Sequence, residues 1–188
     1  MRLLLILIFG LYTISSTATV QEKDMIIYDG EIYELQNFYL EQYFEIYPSK
    51  RPKNGISSSN LWRGYLAVFT ISNDHLHLID LLIQIHDKDP SKLFATKWES
   101  VFDEFSPECD EFLIFWIKDL ILLPQGEVVD YQPGFGVSFS DYELLEFSNG
   151  ELIDSDKFSL DFYKMYFTKC HLFLKEEDLL VMKEKVSD

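Results

Sequence analysis

Arg63 stands between Trp62 and Tyr65, and Lys50, Arg51 and Lys53 lie a few residues upstream in an otherwise acidic chain. A guanidinium flanked by rings can hold a carboxylate in a two-pronged fork or stack on an aromatic face. Trp62, Arg63, Tyr65 and Arg51 are therefore the candidate binding residues of an anion or carboxylate pocket. The plainer expectation is that Arg63 pairs with one of the chain's 32 carboxylates, that Trp62 and Tyr65 fill core, and that the basic cluster compensates charge.

His75 and His77 are two apart at the start of an expected strand and so project to one face, a spacing that lets two imidazoles share a metal. Asp74, His86, Asp87 and Asp89 complete such a site only if the strand ends fold back, because His86 lies roughly 30 Å from His77 along an extended strand. A solvated polar turn is the plainer account, and nothing in the chain calls for a cofactor. The two cysteines, Cys109 and Cys170, can close one disulfide, which would stabilise the fold by about 2 to 4 kcal/mol, or stay as buried thiols. Cys170 adjoins His171, but neighbours on a helix point about 100° apart, a poor nucleophile geometry.

Other signatures are missing from the sequence. The segment GFGVS at residues 134–138 lacks the third glycine and following helix of a dinucleotide loop. No nucleophile elbow or zinc-binding His-Glu-x-x-His helix occurs. Carboxylate neighbours such as Asp110 with Glu111, or Asp141 with Glu143, look the same as surface charge in so acidic a chain.

The N-terminus has the three parts of a secretory signal: Arg2, an apolar run over residues 3–14, and the small residues Ser16 and Ala18 before a cut. The run falls short of the roughly 20 residues a membrane span needs. The expectation is a signal peptide at 1–18 and a single domain at 19–188, exported to the periplasm or beyond. The formal charge is −16, and removing Arg2 leaves 15 basic and 32 acidic residues, a net of −17. That balance argues against nucleic acid and anionic lipid, whose binding needs Lys and Arg; it suits a basic protein partner or a cation, and equally it simply confers solubility.

The elements that must position these residues are legible from pattern. Residues 61–85 read as a central hairpin with its turn over 72–75; both faces of it are largely apolar, so cover on both sides is expected. Asp29-Gly30 and Asn149-Gly150 mark two further hairpins, at 25–35 and 142–154. A fourth is expected at 112–131, turning over Pro124, Gln125 and Gly126. Helical spacing places one helix at 38–47, ending at Pro48. A second runs through Phe94, Trp98, Val101, Phe102 and Phe105 after a Ser91 cap. A third starts at Ser159 and runs through Phe162, Cys170 and Phe173. Four hairpins and three helices make an α+β domain on antiparallel sheet.

The segments LWRGY (61–65), LHLID (76–80), LPQG (123–126) and GFGVSFSDYELLEFSNGEL (134–152), in that order, resemble a small family of uncharacterised bacterial proteins over about residues 30–170. The resemblance implies one intact domain and carries no activity, cofactor or catalytic residue; the signal segment departs from it. Function is then expected to be non-catalytic protein binding, as in an immunity-like or accessory envelope protein, presenting Tyr28, Tyr33, Tyr39 or Tyr131 to a basic partner. The alternative is a small hydrolase with a carboxylate and histidine site.

Overall fold

The computed structural model describes residues 21–89, 95–132 and 136–166. Nine strands and three helices follow in the order β1 (Met25–Tyr28), β2 (Glu31–Glu34), α1 (Leu40–Ile46), β3 (Leu66–Ser72), β4 (His75–His86), β5 (Thr96–Ser100), α2 (Phe102–Phe105), β6 (Phe112–Leu113), β7 (Lys118–Gln132), β8 (Gly136–Ser148), β9 (Glu151–Ser159) and α3 (Leu160–Tyr166). The expected signal segment, the Ser91 cap, Phe94, Cys170 and Phe173 all lie outside the described residues. No described helix is long and apolar enough to cross a membrane.

The fold is α+β, and its sheet is mixed. Strands run in the order β2-β1-β3-β4-β9-β8-β7, with β5 and β6 also on β4. All pairs are antiparallel except β1 with β3, where Met25 to Ile27 lie beside Val68 to Thr70 in parallel. Between β4 and β9 the ladder is a single pair, His75 with Glu151. At that seam the sheet doubles over. Ile26, Phe69, Leu78 and Leu81 from the first half share one core with Ile121, Leu123, Leu145 and Phe147 from the second. A smaller core of Leu120, Tyr142, Leu144, Phe158 and Leu160 lies on the opposite face of β7–β9, with Phe162 and Tyr163 of α3 packed on it.

Three hairpins turn on two residues with positive φ at both positions: Asp29 and Gly30, Asn73 and Asp74, and Asn149 and Gly150. That conformation carries the right-handed strand twist through a tight turn. The central hairpin turns on Asn73 and Asp74 alone, with Ser72 and His75 paired as strand residues.

On β4 the apolar residues of both phases have a different cause from the one expected. The β3–β4 register shifts between Val68 and Phe69, leaving Ile79 as the extra residue on β4. Leu76 and Leu78 face inward before this bulge, and Leu81 and Ile83 after it. A one-residue slip moves side chains to the opposite face, so on β4 a single inner face is built from two stretches of opposite phase, whereas on β3 the neighbours Leu66 and Ala67 are both buried, as cover on both faces requires.

Two expected elements are corrected. Strand β7 passes through Pro124 and Gly126 without turning, at the cost of a register irregularity between Gln125 and Val128. It is the last strand of the sheet, where a proline's missing N–H is tolerated. The expected second helix shrinks to Phe102–Phe105, because Thr96–Ser100 pairs along the edge of β4 instead. Helix α1 does form, with Leu40 and Phe44 one turn apart and buried, and ends where Tyr47 N–H bonds Tyr43 O before Pro48.

Gly150 sits at φ +77°, and a Cβ there would overlap the Ile114 carbonyl; Gly30 sits at φ +83° with open space around it. Gly30→Ala is expected to cost about 1 to 2 kcal/mol from the left-handed backbone alone. Gly150→Ala should cost clearly more, because backbone must also move. Urea unfolding of both variants checks this, and equal losses would contradict it.

Candidate functional site

Two polar clusters stand out among the described residues, and the first gathers Arg63, Arg51 and Tyr65 from the residues singled out by sequence. Arg63 and Asp24 form an ion pair whose side chains are both fully buried, Nη1 donating to Oδ1 at 2.8 Å. Arg63 Nη2 also donates to the Glu22 carbonyl oxygen, and the Ala67 N–H donates to the same Asp24 Oδ1. Asp24 Oδ2 and Arg63 Nε have no partner among the described residues. Burial pushes the Asp24 carboxyl above its ordinary value, while the Arg63 charge and the Ala67 N–H pull it back.

Arg51 is held in a two-pronged fork by Glu41, at 3.0 and 2.8 Å. The Tyr65 hydroxyl donates to Glu41 Oε1 at 2.6 Å. Both guanidiniums lie over rings. Arg63 is 3.7 Å from the Phe38 centroid and 5.0 Å from that of Tyr65; Arg51 is 5.0 Å from Phe44 and 5.7 Å from Tyr65. Tyr65 thus separates two arginines, each stacked on a second ring and each occupied by a carboxylate of this chain. Trp62 stands apart from the stack and is 54% exposed.

The second cluster was not singled out by sequence. Glu143 on β8 is 2% exposed. It accepts a hydrogen bond from the Tyr28 hydroxyl at 2.9 Å and lies 3.3 Å from Lys157 Nζ. Gln125 Nε2 donates to its other oxygen at 3.4 Å, while Gln125 Oε1 accepts from the Tyr33 hydroxyl. Nearby, Asp119 Oδ2 accepts from both Tyr39 Oη and Asn37 Nδ2 at 2.7 Å. Burial, then the Glu143 bond, pushes the Tyr28 phenol up to about 12. Strand alternation carries the signal for Glu143, which shares its parity with the inward Leu145 and Phe147. Of the four tyrosines expected at the surface, Tyr39 is buried, Tyr28 and Tyr33 are partly buried with inward hydroxyls, and Tyr131 is 66% exposed.

The histidines do not converge. His75 Nδ1 lies 2.9 Å from the Asn73 carbonyl oxygen within its own turn. His77 Nδ1 is 3.2 Å from Glu111 Oε2 but out of hydrogen-bond alignment. His86 is exposed at the far end of β4. Among the described residues no three His, Cys, Asp or Glu side chains come close enough to hold a metal. Cys109 is exposed and unbridged among the described residues, and Cys170 lies outside them. Among the described residues, Arg51 and Arg63 are both neutralised internally, and the one deeply buried glutamate, Glu143, is engaged at both oxygens.

Two measurements test this account. Arg63→Met leaves Asp24 buried without its cation and should cost about 3 to 5 kcal/mol in urea unfolding, most of it recovered when Asp24→Leu is added. A loss under about 1 kcal/mol for Arg63→Met would show the pair to be dispensable. For Glu41, partial burial raises the carboxyl, but the Arg51 fork and the Tyr65 hydroxyl outweigh it and hold the group below its usual value of 4.5. A carboxylate depressed on folding stabilises above its unfolded value and loses that contribution as pH falls through the folded one. The stability gap between wild type and Glu41→Gln should therefore be largest at neutral pH and close below pH 4.5; a gap constant to pH 3 would contradict the fork. In comparison with known proteins, no family model, no curated protein and no solved structure matches this chain.

Proposed function

We propose that this chain is an exported, acidic, non-catalytic binding module whose second sheet half receives a basic protein, as an immunity-like or accessory envelope protein would. One observation carries the reading. From Asp119 to Asp156 the sequence holds nine Asp or Glu residues and no Lys, Arg or His, and this stretch is β7, β8 and most of β9. Asp119 and Glu143 turn inward, whereas Glu127, Asp141, Glu151 and Asp154 are exposed. The flanking cations are Lys118 and Lys157, and Lys157 is drawn to Glu143. Partial burial, then the neighbouring Asp154 charge, raises the Asp156 carboxyl above its ordinary value. A cationic partner would relieve that repulsion and speed its own association.

The hydrolase alternative has less support. A general acid or base must reach substrate, and Glu143 is closed off by Tyr28, Gln125 and Lys157. His77 and His86 stand at separate points along β4, away from it.

The test is recovery of the tagged full chain from its own cells at low and high salt, with mass spectrometry of what accompanies it. One stoichiometric basic protein, retained at about 50 mM salt and lost near 1 M, where screening shortens to about 3 Å, is the expected result. Nothing retained at low salt, or a partner indifferent to salt, would overturn the proposal.

A further inference from the structure

Five aromatic side chains outside β7 to β9 meet at the surface. Tyr43 and Tyr47, one turn apart at the end of α1, have ring centroids 4.9 Å apart, and Trp116 stacks on Tyr43 at 5.3 Å with an interplanar angle of 19°. Phe112 meets Tyr43 at 5.4 Å and Phe115 meets Trp116 at 5.2 Å, both edge to face. Tyr47 and Phe115 are 52% and 62% exposed, and the three rings between them are partly buried. The group is fixed from beneath. Tyr43 also touches the core rings of Phe44 and Phe105, at 5.8 and 5.7 Å, and Trp116 Nε1 donates to the Tyr39 carbonyl oxygen at 3.0 Å. Rings held this firmly lose little freedom when a ligand arrives, and contiguous exposed apolar surface marks an interaction site.

The same ring system shows what its faces can hold. At its buried end Phe44 carries the Arg51 guanidinium at 5.0 Å, the negative ring face attracting a cation. The five outer rings carry no cation of this chain among the described residues. The charge beside them has the matching sign. From Phe102 to Ile117, the segment that supplies Phe112, Phe115 and Trp116, there are five Asp or Glu residues, all exposed, and no Lys, Arg or His. Of these, Asp103 and Glu104 adjoin Phe105, and Glu111 adjoins Phe112. Lys50 and Lys118 flank the two ring-bearing segments. A second copy of this chain, with its formal charge of −16, is opposed by like charge, and a neutral apolar ligand would leave that charge unused.

We propose that Tyr43, Tyr47, Phe115 and Trp116 form a shelf for a small organic cation of the quaternary ammonium class. Its methyl groups lie against the ring faces, and the acids of residues 103–111 draw it in at longer range. Where this chain stacks a guanidinium on rings it also hydrogen-bonds it to a carboxylate, Arg51 to Glu41 and Arg63 to Asp24. Among the described residues no carboxylate is hydrogen-bonded to Tyr43, Tyr47 or Trp116. Ring faces at contact and carboxylates set further back suit a cation that has no N–H to donate. The shelf lies outside the acidic strands and does not depend on the basic-partner reading.

The experiment is an NMR titration of the full chain with choline and, separately, with 3,3-dimethyl-1-butanol, which keeps the shape of choline with carbon in place of the charged nitrogen. The signal followed is the Trp116 indole N–H, assigned by its loss in Trp116→Phe. Choline is expected to shift it saturably and to bind at least about fivefold tighter than the neutral isostere, the worth of one or two exposed ring contacts. The double variant Tyr47→Leu, Phe115→Leu keeps apolar surface and removes two ring faces; it should weaken choline at least about fivefold and leave the isostere unchanged. Its urea midpoint checks that the fold is intact. Equal affinity for choline and the isostere would reduce the shelf to apolar surface and overturn the proposal. So would unchanged choline affinity in the variant, or shifts at Trp62 or Trp98 and none at Trp116.

Discussion

The buried pair of Asp24 and Arg63 is the contact on which the first half of the sheet depends. One carboxylate oxygen accepts from Arg63 and from the Ala67 N–H, while the Asp24 carbonyl accepts from Leu35 N–H at the end of the first hairpin. Three segments far apart in sequence are tied at one residue. The parallel register of Met25 with Val68 begins one residue further on. Parallel strands cannot be joined by a tight turn, so this pair needs a fixed starting point, and the ion pair supplies it beneath a layer of rings. Desolvating two charges is expensive. The cost is offset here by three hydrogen bonds and by the close stacking of Arg63 on Phe38.

The same economy explains the distribution of charge. Arg63, Arg51 and Lys157 are each spent on a carboxylate of this chain, two of them against aromatic faces. Tyrosine hydroxyls also serve Glu143, at its other oxygen, and Asp119. The buried acids Asp24 and Glu143 are thus neutralised by groups far from them in sequence. On the second half the stretch from Asp119 to Asp156 holds nine acids and no Lys, Arg or His, and Lys118, Lys157 and Lys164 flank it.

Much of this was legible in the sequence, and the failures have physical causes. Asp29-Gly30 and Asn149-Gly150 gave their hairpins because few residue pairs adopt positive φ twice in succession. Leu40 and Phe44 gave α1 by their spacing. The bulge at Ile79 hid in an unbroken apolar run, since periodicity alone does not reveal a change of phase. Thr96–Ser100 was claimed for a helix by the aromatic spacing around it, whereas the open edge of β4 decided the matter, as tertiary pairing overrides local preference. Pro124 and Gly126 are turn residues by type, but at the sheet's margin they only bend a strand. Arg63 and Arg51 stand out in the sequence by type, and Arg63 does pair with a carboxylate, but its closest ring is Phe38 and not the neighbouring Trp62, which is exposed. Their partners Asp24 and Glu41 do not stand out, because a long-range ion pair leaves no local mark.

The central claim is that the cations are structural and that the acidic half, β7 to β9, is the surface that meets a partner. Hydrogen exchange of the full chain, alone and with its recovered basic partner, tests it most directly. New protection confined to β7, β8 and β9, with β1 to β3 and the Arg63 segment unchanged, is the predicted pattern. Protection centred on residues 51–65, or none in the second half, would contradict the account.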